Sequence, residues 1–249
     1  MDEIKEIARL IQKSRYTVVL TGAGMSTESG IPDFRSSGGI YDKLPEDIFS
    51  ISYFRQYPGL FYESFLKNLY VNKDVKPNIG HVILADWEER KLVHEIITQN
   101  VDSLHTRADS KMVTEIHSSN RTATCLRCGK AYDFDKLAAR GGEFYYCSCI
   151  NEKTDNLIKP DVVLYGESVP LYREALQAVR DADLLFVLGS SLVVYPVAGL
   201  VNHAPAHTDI VIINKTETSF DSGANVRAVH KPIGETLKAI DEVLEDFRR

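Results

Sequence analysis

One stretch near the N-terminus, residues 17–35, limits what this chain can fold into more than any other. It begins with a β-branched and apolar run, which predicts a strand buried on both faces. Gly22 and Gly24 follow, and glycine permits a tight turn in which backbone N–H groups approach a ligand. Ser26 and Thr27 then predict a helix start, whose positive end attracts anions. This order predicts a cradle for a diphosphate; the simpler alternative is a tight strand–helix turn.

The same stretch matches the dinucleotide fingerprint G-x-G-x-x-G only in part. Gly22 and Gly24 hold the first two glycine positions, but Thr27 holds the third. No strand ending in Asp or Glu follows about twenty residues later, where a ribose would be recognised. Instead comes the segment GIPDFR at residues 30–35, which a hydride-transfer site does not need. The glycine pattern alone is therefore weak evidence for a nucleotide site.

Strands and helices alternate along the rest of the chain. Strands are predicted at residues 95–98, 112–116, 162–165, 184–188, 210–213 and 226–229, and helices at 2–13, 54–70 with a break at Pro58, 77–90, 171–180, 197–203 and 233–247. This alternation predicts an α/β fold with a doubly wound parallel, Rossmann-like sheet. Ligand is then expected at the carboxyl ends of the strands. The residues that fall there are Gly22, Gln99, His117, Gly189 and Asn214.

The net charge and the cysteine content indicate which kinds of partner and which cellular compartment to expect. The net charge is −6 and no basic run is present, which argues against nucleic acid or an anionic membrane as the main partner. No apolar run approaches the ~20 residues of a membrane span, and the N-terminus has the pattern of an amphipathic helix rather than a signal peptide. Four cysteines in two close pairs fit a metal site in a reducing compartment better than they fit disulfide bonds. We expect a cytoplasmic monomer with no membrane contact.

The cysteine-bearing segment, residues 122–159, interrupts the alternation and predicts an inserted module. Cys125 and Cys128 form a C-x-x-C pair, and Cys147 and Cys149 form a C-x-C pair. This spacing resembles a zinc ribbon, in which four thiolates close a tetrahedral structural site. The alternatives, a redox C-x-x-C or four free thiols, leave one pair without a role. The sequence favours one structural Zn²⁺ ion.

Polar side chains follow two of the predicted strands. Gln99, Asn100 and Asp102 supply donors and acceptors that suit the vicinal hydroxyls of a ribose, although a helix cap explains Asp102 equally well. His117 ends the next strand, and the ordinary histidine pKa of about 6.5 suits a general base at neutral pH. A lone histidine is more often structural, but its place at a strand end favours a catalytic role.

Six motifs in order resemble the signature of the sirtuins, the NAD-dependent protein-lysine deacylases. They are GAGxS…SGIPDFR from residue 22, ITQNVD…H from residue 97, His117, the four cysteines, KPDVV…GE from residue 159, and GSS from residue 189. The resemblance covers nearly the whole chain and implies one catalytic domain over residues 1–249. Residues 1–35, 90–121 and 160–249 would form the NAD-binding part, 36–89 a cofactor loop and helical insert, and 122–159 the zinc-binding module.

The resemblance also implies roles for individual residues. The implied catalytic residues are His117, Asn100 and Asp102. Nicotinamide would be pressed against Asp33 and Phe34. The implied NAD-binding residues are Gly22, Ala23, Gly24, Thr27, Asp33, Phe34, Arg35, Tyr41, Gln99, Asn100, Asp102, Gly189, Ser190, Ser191, Asn214 and Lys215, with Glu217 and Thr218 as further candidates.

Two segments would bind an acyl-lysine peptide as an added strand, although either can equally be read as a core strand. The implied substrate-binding residues are Val163, Leu164, Tyr165, Gly166, Glu167, Val193, Val194 and Tyr195. The acyl group would enter an apolar tunnel lined by Phe34, Ile97, His117, Val163 and Tyr165. Acetylated-lysine proteins or peptides are therefore the expected partners.

The implied reaction removes acetyl or other uncharged acyl groups from protein lysines with NAD, giving nicotinamide, free lysine and O-acyl-ADP-ribose. In it His117 activates a ribose hydroxyl. Ser118 and Asp109 depart from the family, which commonly has glycine at both positions, and each restricts the backbone near the site. Two other functions stay open at this point: protein mono-ADP-ribosyl transfer, and non-catalytic sensing of NAD or ADP-ribose.

The acyl preference follows from one position in the helical insert. Family members that prefer succinyl or malonyl lysine place a tyrosine and an arginine three residues apart there, and the matching residues here are Tyr62 and Phe65. A buried carboxylate without a cationic partner is costly. We therefore expect uncharged acyl groups to be preferred, acetyl above all.

Overall fold

A computed structural model describes residues 2–70, 74–151 and 155–248. The ranges 36–89 and 122–159, which the sequence assigns to the inserts, include residues 71–73 and 152–154, and these lie outside the described residues. No helix among the described residues is both long and apolar enough to cross a bilayer.

The secondary structure follows the predicted alternation. The strands are β1 (Thr17–Thr21), β2 (Glu95–Thr98), β3 (Val113–Glu115), β4 (Thr122–Cys125), β5 (Ala131–Asp133), β6 (Ile158–Pro160), β7 (Leu184–Leu188), β8 (Asp209–Ile213) and β9 (Val226–Val229). The α-helices are α1 (Asp2–Lys13), α2 (Ile51–Gln56), α3 (Pro58–Asn68), α4 (Ile79–Glu89), α5 (Leu104–Arg107), α6 (Phe134–Ala138), α7 (Tyr172–Asp181) and α8 (Ile233–Arg248). Short 3₁₀ helices cover Ala23–Ser29, Ile40–Asp42, Glu46–Phe49 and Val197–His203.

The main sheet of the described chain has six strands in the order β3-β2-β1-β7-β8-β9, and every neighbouring pair is parallel. The chain moves outward from β1 through β2 to β3, then returns to β7 and moves outward on the other side. The strand order therefore reverses between β1 and β7, which opens a crevice at their carboxyl ends. The predicted doubly wound parallel sheet is confirmed.

Helices cover both faces of this sheet. Because strand side chains alternate between faces, Val19 faces the layer of α1, α4 and α8, whereas Val18 and Leu20 face the layer of α7 and Val197–His203. All five residues of β1 are buried, as its β-branched run predicts for a central parallel strand. Pro58, which the sequence identifies as a break, is the first residue of α3, where its missing N–H costs no hydrogen bond.

A second, smaller core lies beside the carboxyl edge of the sheet. It contains the antiparallel strands β5-β4-β6 and the aromatic side chains of α2, α3 and α6. The ring of Phe61 stacks on that of Phe65 with centroids 5.6 Å apart, and Tyr62 stacks on Phe134 at 6.3 Å. The helical insert and the cysteine module therefore share one aromatic core.

One predicted strand is wrong. Residues 162–165 form no strand; Tyr165 makes only an isolated bridge to Ser50. The Val163 N–H donates to the His117 carbonyl at 3.0 Å, whereas the Tyr165 N–H donates to the Phe49 carbonyl at 3.0 Å. The segment is extended, but its partners belong to two different elements, so no ladder forms. Residues 191–196, the second segment read as strand-like, also lie outside any strand.

The helix start after the glycine turn is also wrong. The 3₁₀ helix Ala23–Ser29 begins after Gly22, so Ser26 and Thr27 lie inside it rather than at its cap. The Ser26 hydroxyl is buried and donates to Asp102 Oδ2 at 2.7 Å. Thr27 Oγ1 donates to the Gly24 carbonyl at 3.0 Å. Both hydroxyls brace the turn and its neighbour instead of starting a helix.

Candidate active site

A cavity of about 340 Å³ lies between the carboxyl edge of the main sheet and the aromatic core. The predicted substrate-binding residues line it: Val163, Leu164, Tyr165, Gly166, Glu167, Val193, Val194 and Tyr195. So do His117 and most of the predicted NAD-binding residues: Gly22, Ala23, Gly24, Asp33, Phe34, Arg35, Tyr41, Gln99, Asn100, Asp102, Gly189, Ser190, Ser191 and Asn214. Thr27 and Lys215 line an adjoining recess that shares Gly24, Gly189 and Asn214 with the cavity.

Glycine is required after β1 because the backbone of this turn packs directly against the backbone of the turn after β7. A Cβ on Gly22 would lie 2.8 Å from the Gly189 carbonyl oxygen, and a Cβ on Gly24 would lie 2.7 Å from Gly189 Cα. The Gly24 N–H donates to the Gly189 carbonyl at 2.9 Å, and Gly189 itself has φ +62°. No side chain fits at this contact, so the turns after β1 and β7 present bare backbone to the cavity.

Two buried polar residues tie the loop after β2 to the glycine turn. Asn100 Nδ2 donates to the Gly22 carbonyl at 3.0 Å and to Ser26 Oγ at 3.1 Å. Asp102 accepts from Ser26 Oγ at 2.7 Å and, through its other oxygen, from the Leu104 N–H at 2.8 Å. Burial raises the pKa of the Asp102 carboxyl, and these two donors oppose that rise. Asp102 therefore accepts from the first residue of α5 but does not occupy its N-cap, which is Ser103, and it also holds the loop.

Gln99 connects the loop to two further parts of the cavity. Its side-chain Nε2 donates to Ser190 Oγ at 3.0 Å, which joins the ends of β2 and β7. Its carbonyl lies 3.0 Å from His117 Nδ1. A carbonyl only accepts, so Nδ1 carries the proton and Nε2 is the basic nitrogen. Burial lowers the pKa of His117, opposed by this hydrogen bond, so the ring is neutral at pH 7 and able to accept a proton.

Ser118 and Asp109, which stand where the family commonly has glycine, both adopt a backbone conformation that glycine takes without strain. Ser118 has φ 58° and Asp109 has φ 75°, both in the left-handed region. Ser118 is in place because its N–H closes a turn on the Glu115 carbonyl at 2.8 Å. These two departures keep the glycine geometry at the cost of local strain.

The prediction that Ile97 lines the acyl tunnel is wrong. Phe34, His117, Val163 and Tyr165 line the cavity, but Ile97 is fully buried in the core beneath the α7 face of the sheet and does not reach it. Side chains alternate along β2, which directs Ile97 away from the crevice even though it stands close to Gln99 in sequence.

The pair used to predict acyl preference also lies away from the cavity. The Tyr62 hydroxyl donates to the Ile158 carbonyl at 2.7 Å, and Phe65 is fully buried in the aromatic core. Neither residue lines the cavity. Among the lining residues that the structure describes, Arg35 is the single lysine or arginine, and it pairs with Glu46 at 3.5 Å.

Several cavity residues were not singled out from the sequence as site residues. They are Ser26, Ile31, Pro32, Ser36, Phe49, Asn68, Leu69, Val101, Val162, Val169, Pro196 and Thr216. Ser26 carries a signal, since it belongs to the GAGMS motif, but its type and place there predict a helix cap. Asn68 and Leu69 carried none, because they reach the cavity only through packing of α3 on the loop after β3, where Asn120 Nδ2 donates to the Leu69 carbonyl at 3.0 Å.

The four cysteines converge away from this cavity. All four Sγ atoms lie within 4.8 Å of one another, with Cys125 and Cys149 at 3.9 Å and Cys128 and Cys147 at 3.8 Å. Tetrahedral coordination with Zn–S bonds of about 2.3 Å places sulfur atoms about 3.8 Å apart. The donor set therefore fits one Zn²⁺ ion with no open position. No cysteine lines the cavity, which fits a structural metal rather than a catalytic one.

The comparisons with known proteins agree with this site. Residues 22–196 match the Sir2 family model. A protein named NAD-dependent protein deacetylase from Thermotoga maritima is 41% identical over 230 residues, which are 90% of this chain and 92% of that protein. NAD-dependent protein deacetylase 2 from Caldanaerobacter subterraneus subsp. tengcongensis is 42% identical over 227 residues, which are 89% of this chain and 88% of that protein.

Solved structures are similar over nearly the full length. One, of a Sir2 variant with deacetylated p53 peptide and 3'-O-acetyl ADP ribose, has a TM-score of 0.89 and 38% identity, and covers 96% of this chain and 97% of that chain. Another, of Sir2 with p53 peptide and NAD+, has a TM-score of 0.87 and 37% identity, and covers 99% of both chains. By its sequence match, its relatives and its fold, this chain belongs to the Sir2 family, the sirtuins.

Proposed function

We propose that this chain is an NAD-dependent protein deacetylase that releases nicotinamide, free lysine and O-acetyl-ADP-ribose. One observation carries the proposal. A single cavity is lined by a neutral histidine whose ring is held by a hydrogen bond, by the glycine turns after β1 and β7 on one side, and by residues 162–167 and 193–195 on the other. The similar proteins are named for this activity, and similar solved structures hold NAD+ or an acetyl ADP ribose beside a p53 peptide.

The cofactor half of the cavity fits a dinucleotide. The turns at Gly22 and Gly189 leave bare backbone at the centre of the sheet edge, and the adjoining recess extends the site toward Lys215. We assign the phosphates and the adenosine ribose to Gly189, Ser190 and Asn214, and the nicotinamide ribose to Gln99 and Asn100. NAD supplies an anomeric carbon that bonds to the acyl oxygen as nicotinamide leaves.

His117 is assigned as the general base. Its Nδ1 is held by the Gln99 carbonyl, so the proton of a ribose hydroxyl passes to Nε2. A ring with a lowered pKa is unprotonated at neutral pH and therefore ready for this step. Gln99 thus acts at two points of the NAD site: its carbonyl orients the base, while its amide fixes Ser190 at the phosphate end.

Asn100 and Asp102 are assigned to holding the reacting loop. They bind the Gly22 carbonyl and Ser26, so the loop after β2 and the turn after β1 move as one unit. Both side chains are buried, at 9% and 7% exposure, so their hydrogen bonds are shielded from water. Rigid placement of this loop keeps a bound ribose close to His117.

The peptide is assigned to the groove between residues 162–167 and 193–195. The first wall is held in place by Lys159, whose Nζ donates to the Pro160 and Val162 carbonyls at 2.8 and 2.7 Å. The same Nζ pairs with Glu167 at 3.0 Å. On the second wall Val193 and Tyr195 are 52% and 69% exposed, which leaves apolar surface free to cover a peptide.

Deacetylation is tested by incubating the protein with an acetyl-lysine peptide and NAD and measuring deacetylated peptide and nicotinamide together. His117→Ala should fold normally and lose deacetylation by at least ~100-fold, the usual scale for a positioned general base. Exchange of labelled nicotinamide into NAD, which precedes the proton transfer, should survive better than product formation. Full turnover by the variant would remove His117 from the mechanism.

Mono-ADP-ribosyl transfer and ligand sensing remain the competing functions, and the same reaction separates them. Transfer would leave the acetyl peptide intact and add ADP-ribose to a protein. A sensor would release no nicotinamide. The names of the similar proteins favour deacetylation over both alternatives.

Four further assignments belong to this proposal. The cysteines hold one structural zinc, and the protein is a monomer with neither nucleic acid nor membrane as a partner. A cytoplasmic location is supported by the grouping of all four thiols as metal ligands. We also propose the division predicted from the sequence, with one catalytic domain carrying two inserts, except that α4 packs on α8 in the large core, so the helical insert ends before Asn78.

A further inference from the structure

Tyr165 stands on the peptide wall but reaches across the cavity to the opposite side. We call residues 33–51 the cofactor loop and residues 162–167 the substrate segment. The Tyr41 hydroxyl, in the cofactor loop, donates to the Tyr165 hydroxyl, in the substrate segment, over 3.1 Å. Both residues line the cavity, and Tyr165 is 39% exposed. A hydrogen bond therefore spans the mouth of the site between its two halves.

The backbone of Tyr165 makes two more bonds to the cofactor loop. Its N–H donates to the Phe49 carbonyl at 3.0 Å, and its carbonyl accepts from the Ile51 N–H at 3.0 Å. The Arg35 guanidinium, also in the cofactor loop, donates to the Tyr165 hydroxyl as well. In the described part of the chain, every hydrogen bond that joins the two segments runs through Tyr165. The backbone pair secures the end of the loop, while the hydroxyl secures its middle.

Tyr41 in turn sets the position of two side chains on the cofactor side. The Arg35 guanidinium lies 5.2 Å above the Tyr41 ring, and the Phe34 ring lies 5.4 Å from it. The Tyr41 N–H also donates to the Phe34 carbonyl at 3.0 Å. Burial and the bond to Tyr165 raise the pKa of Tyr41, so its hydroxyl stays protonated and donates throughout the neutral range.

We propose that Tyr165 is a positioning residue that sets the affinity for NAD from the peptide wall. The proposal rests on the proposed function, because NAD is its ligand. Without the Tyr165 hydroxyl, Tyr41 loses its partner, and Phe34 and Arg35 lose the arrangement in which they face the cavity. NAD must then order the loop itself, and that ordering weakens its binding. A peptide on the substrate segment holds Tyr165 and thereby supports the loop that receives NAD.

The test uses Tyr165→Phe, which removes one oxygen and keeps the ring, together with Tyr41→Phe and the double variant. The matched control is Tyr57→Phe, whose hydroxyl accepts from Gln56 at 2.9 Å outside the cavity. Calorimetry measures the Kd of NAD without peptide and the Kd of an acetyl-lysine peptide without NAD, so neither value depends on turnover. Trypsin cleavage after Lys43, an exposed residue of the cofactor loop, reports loop opening.

Tyr165→Phe should weaken NAD binding about three- to tenfold, the range expected for the loss of a neutral hydrogen bond. The peptide Kd should rise by a smaller factor than the Kd of NAD, because the ring and the backbone of the substrate segment are kept. Tyr41→Phe should weaken NAD binding by no more than Tyr165→Phe, because it leaves the bond between Arg35 and Tyr165 in place. The double variant should be no weaker than Tyr165→Phe, and both single changes should speed cleavage after Lys43. Tyr57→Phe should change none of these quantities.

Any of three binding results would overturn the inference: an unchanged NAD Kd, a peptide Kd that rises as much as that of NAD, or losses that multiply in the double variant. The last would mean that the two hydroxyls act independently. Faster cleavage in Tyr57→Phe as well would point to general loosening and would also overturn it. Failure of the proposed function is a separate result, since wild-type protein would then bind no NAD or form no deacetylated peptide.

Discussion

At the scale of single residues, Ser118 shows how the site constrains the backbone beside His117. A left-handed conformation destabilises the folded state by roughly 1–2 kcal/mol at a residue with a side chain. Glycine avoids this strain, but its more flexible unfolded state lowers stability by about 0.5–1 kcal/mol. Ser118→Gly should therefore raise the free energy of unfolding by up to about 1 kcal/mol, measured by denaturant titration. Asp109→Gly should gain less, since aspartate tolerates this conformation better than serine.

The matched control is Ser64→Gly inside α3, where the backbone is helical. That change should cost about 0.5 kcal/mol, because glycine is the poorer helix former. A loss of stability in Ser118→Gly equal to that of the control would show that the positive φ carries no strain.

Individual residues were predictable where a motif fixed both their type and their place. His117, Gln99 and Asn100 line the cavity because strand ends in a parallel sheet meet at one edge, a rule that the sequence alone can apply. Ile97 and Tyr62 were misplaced because their positions depend on which way a side chain points. A shift of one residue reverses the face along a strand such as that of Ile97, and it turns the side chain by about 100° along a helix such as that of Tyr62. No local signal in the sequence records the choice.

At the scale of elements, α4 and α5 pack through two buried histidines. The rings of His81 and His105 lie 4.7 Å apart, and His105 Nε2 is 3.1 Å from Thr21 Oγ1. His81 Nδ1 accepts from the Asn78 N–H at 3.3 Å as part of the cap of α4. His81 Nε2 and His105 Nδ1 have no partner among the described residues. Both rings are therefore neutral in the folded protein.

This packing predicts acid sensitivity. Burial lowers the pKa of His81 to about 4, whereas the unfolded chain binds that proton near the ordinary 6.5. The unfolded state thus holds more protons between these values, and stability falls as pH drops from about 6.5 toward 4. The expected loss through His81 by pH 4.5 is about 2–3 kcal/mol.

Denaturant titrations at several pH values measure this loss, with His81→Gln as the comparison. The variant should show a flatter fall with acid, whatever its stability at pH 7. The raised pKa of Asp102 acts in the opposite direction in both proteins and cancels in the difference. Equal slopes for variant and wild type would contradict a buried, neutral His81.

The cysteine module makes a second prediction at this scale. Cys125→Ser and Cys149→Ser should each lower zinc content and melting temperature together, because binding free energy at a structural zinc site is folding free energy. Ser148→Ala, an exposed change between two ligands, should alter neither. Elemental analysis and thermal unfolding provide the measurements, and well-folded wild-type protein without zinc would refute the assignment.

Most elements were predictable because hydrophobic period and turn residues record them locally. Two features show the limit of prediction from local sequence: α3 ends at Asn68 rather than at residue 70, and the segment 162–165 forms no strand. Residues 162–165 have a strand's composition, but their hydrogen bonds go to His117 and Phe49 rather than to one neighbouring strand. Whether an apolar run becomes a strand depends on tertiary partners, so composition alone cannot decide it.

At the scale of the whole molecule, the lining of the cleft between the two cores predicts which acyl group is accepted. Arg35 is the single lysine or arginine among its described lining residues, and Glu46 already pairs with it. A buried carboxylate without a partner costs several kcal/mol, so kcat/KM for a succinyl peptide should fall at least ~100-fold below that for the acetyl peptide. Butyryl peptide should lie between them, since it adds bulk without charge.

Phe65→Arg tests whether the preference depends on the residue at position 65 or on the lack of a free cation in the cavity lining. Phe65 lies in the aromatic core rather than in the cavity, so the added arginine should destabilise the protein without raising succinyl turnover. Equal kcat/KM for succinyl and acetyl peptides in the wild type would mean that a cation reaches the tunnel from elsewhere.

The overall architecture was the most predictable part, because alternating strands and helices leave few ways to build a sheet. The union of the helical insert and the cysteine module in one aromatic core was not predictable. Phe61 and Phe134 are far apart in sequence, and nothing in either segment marks the other as its partner.

The central claim is that one cavity transfers an acetyl group from lysine to the ADP-ribose part of NAD. The most direct test is mass spectrometry of the nucleotide formed from NAD and a peptide whose acetyl group carries ¹³C. The account predicts ADP-ribose that carries the labelled acetyl group, in equal amount to nicotinamide and free lysine. Unlabelled ADP-ribose with free labelled acetate, or ADP-ribose attached to protein, would contradict it.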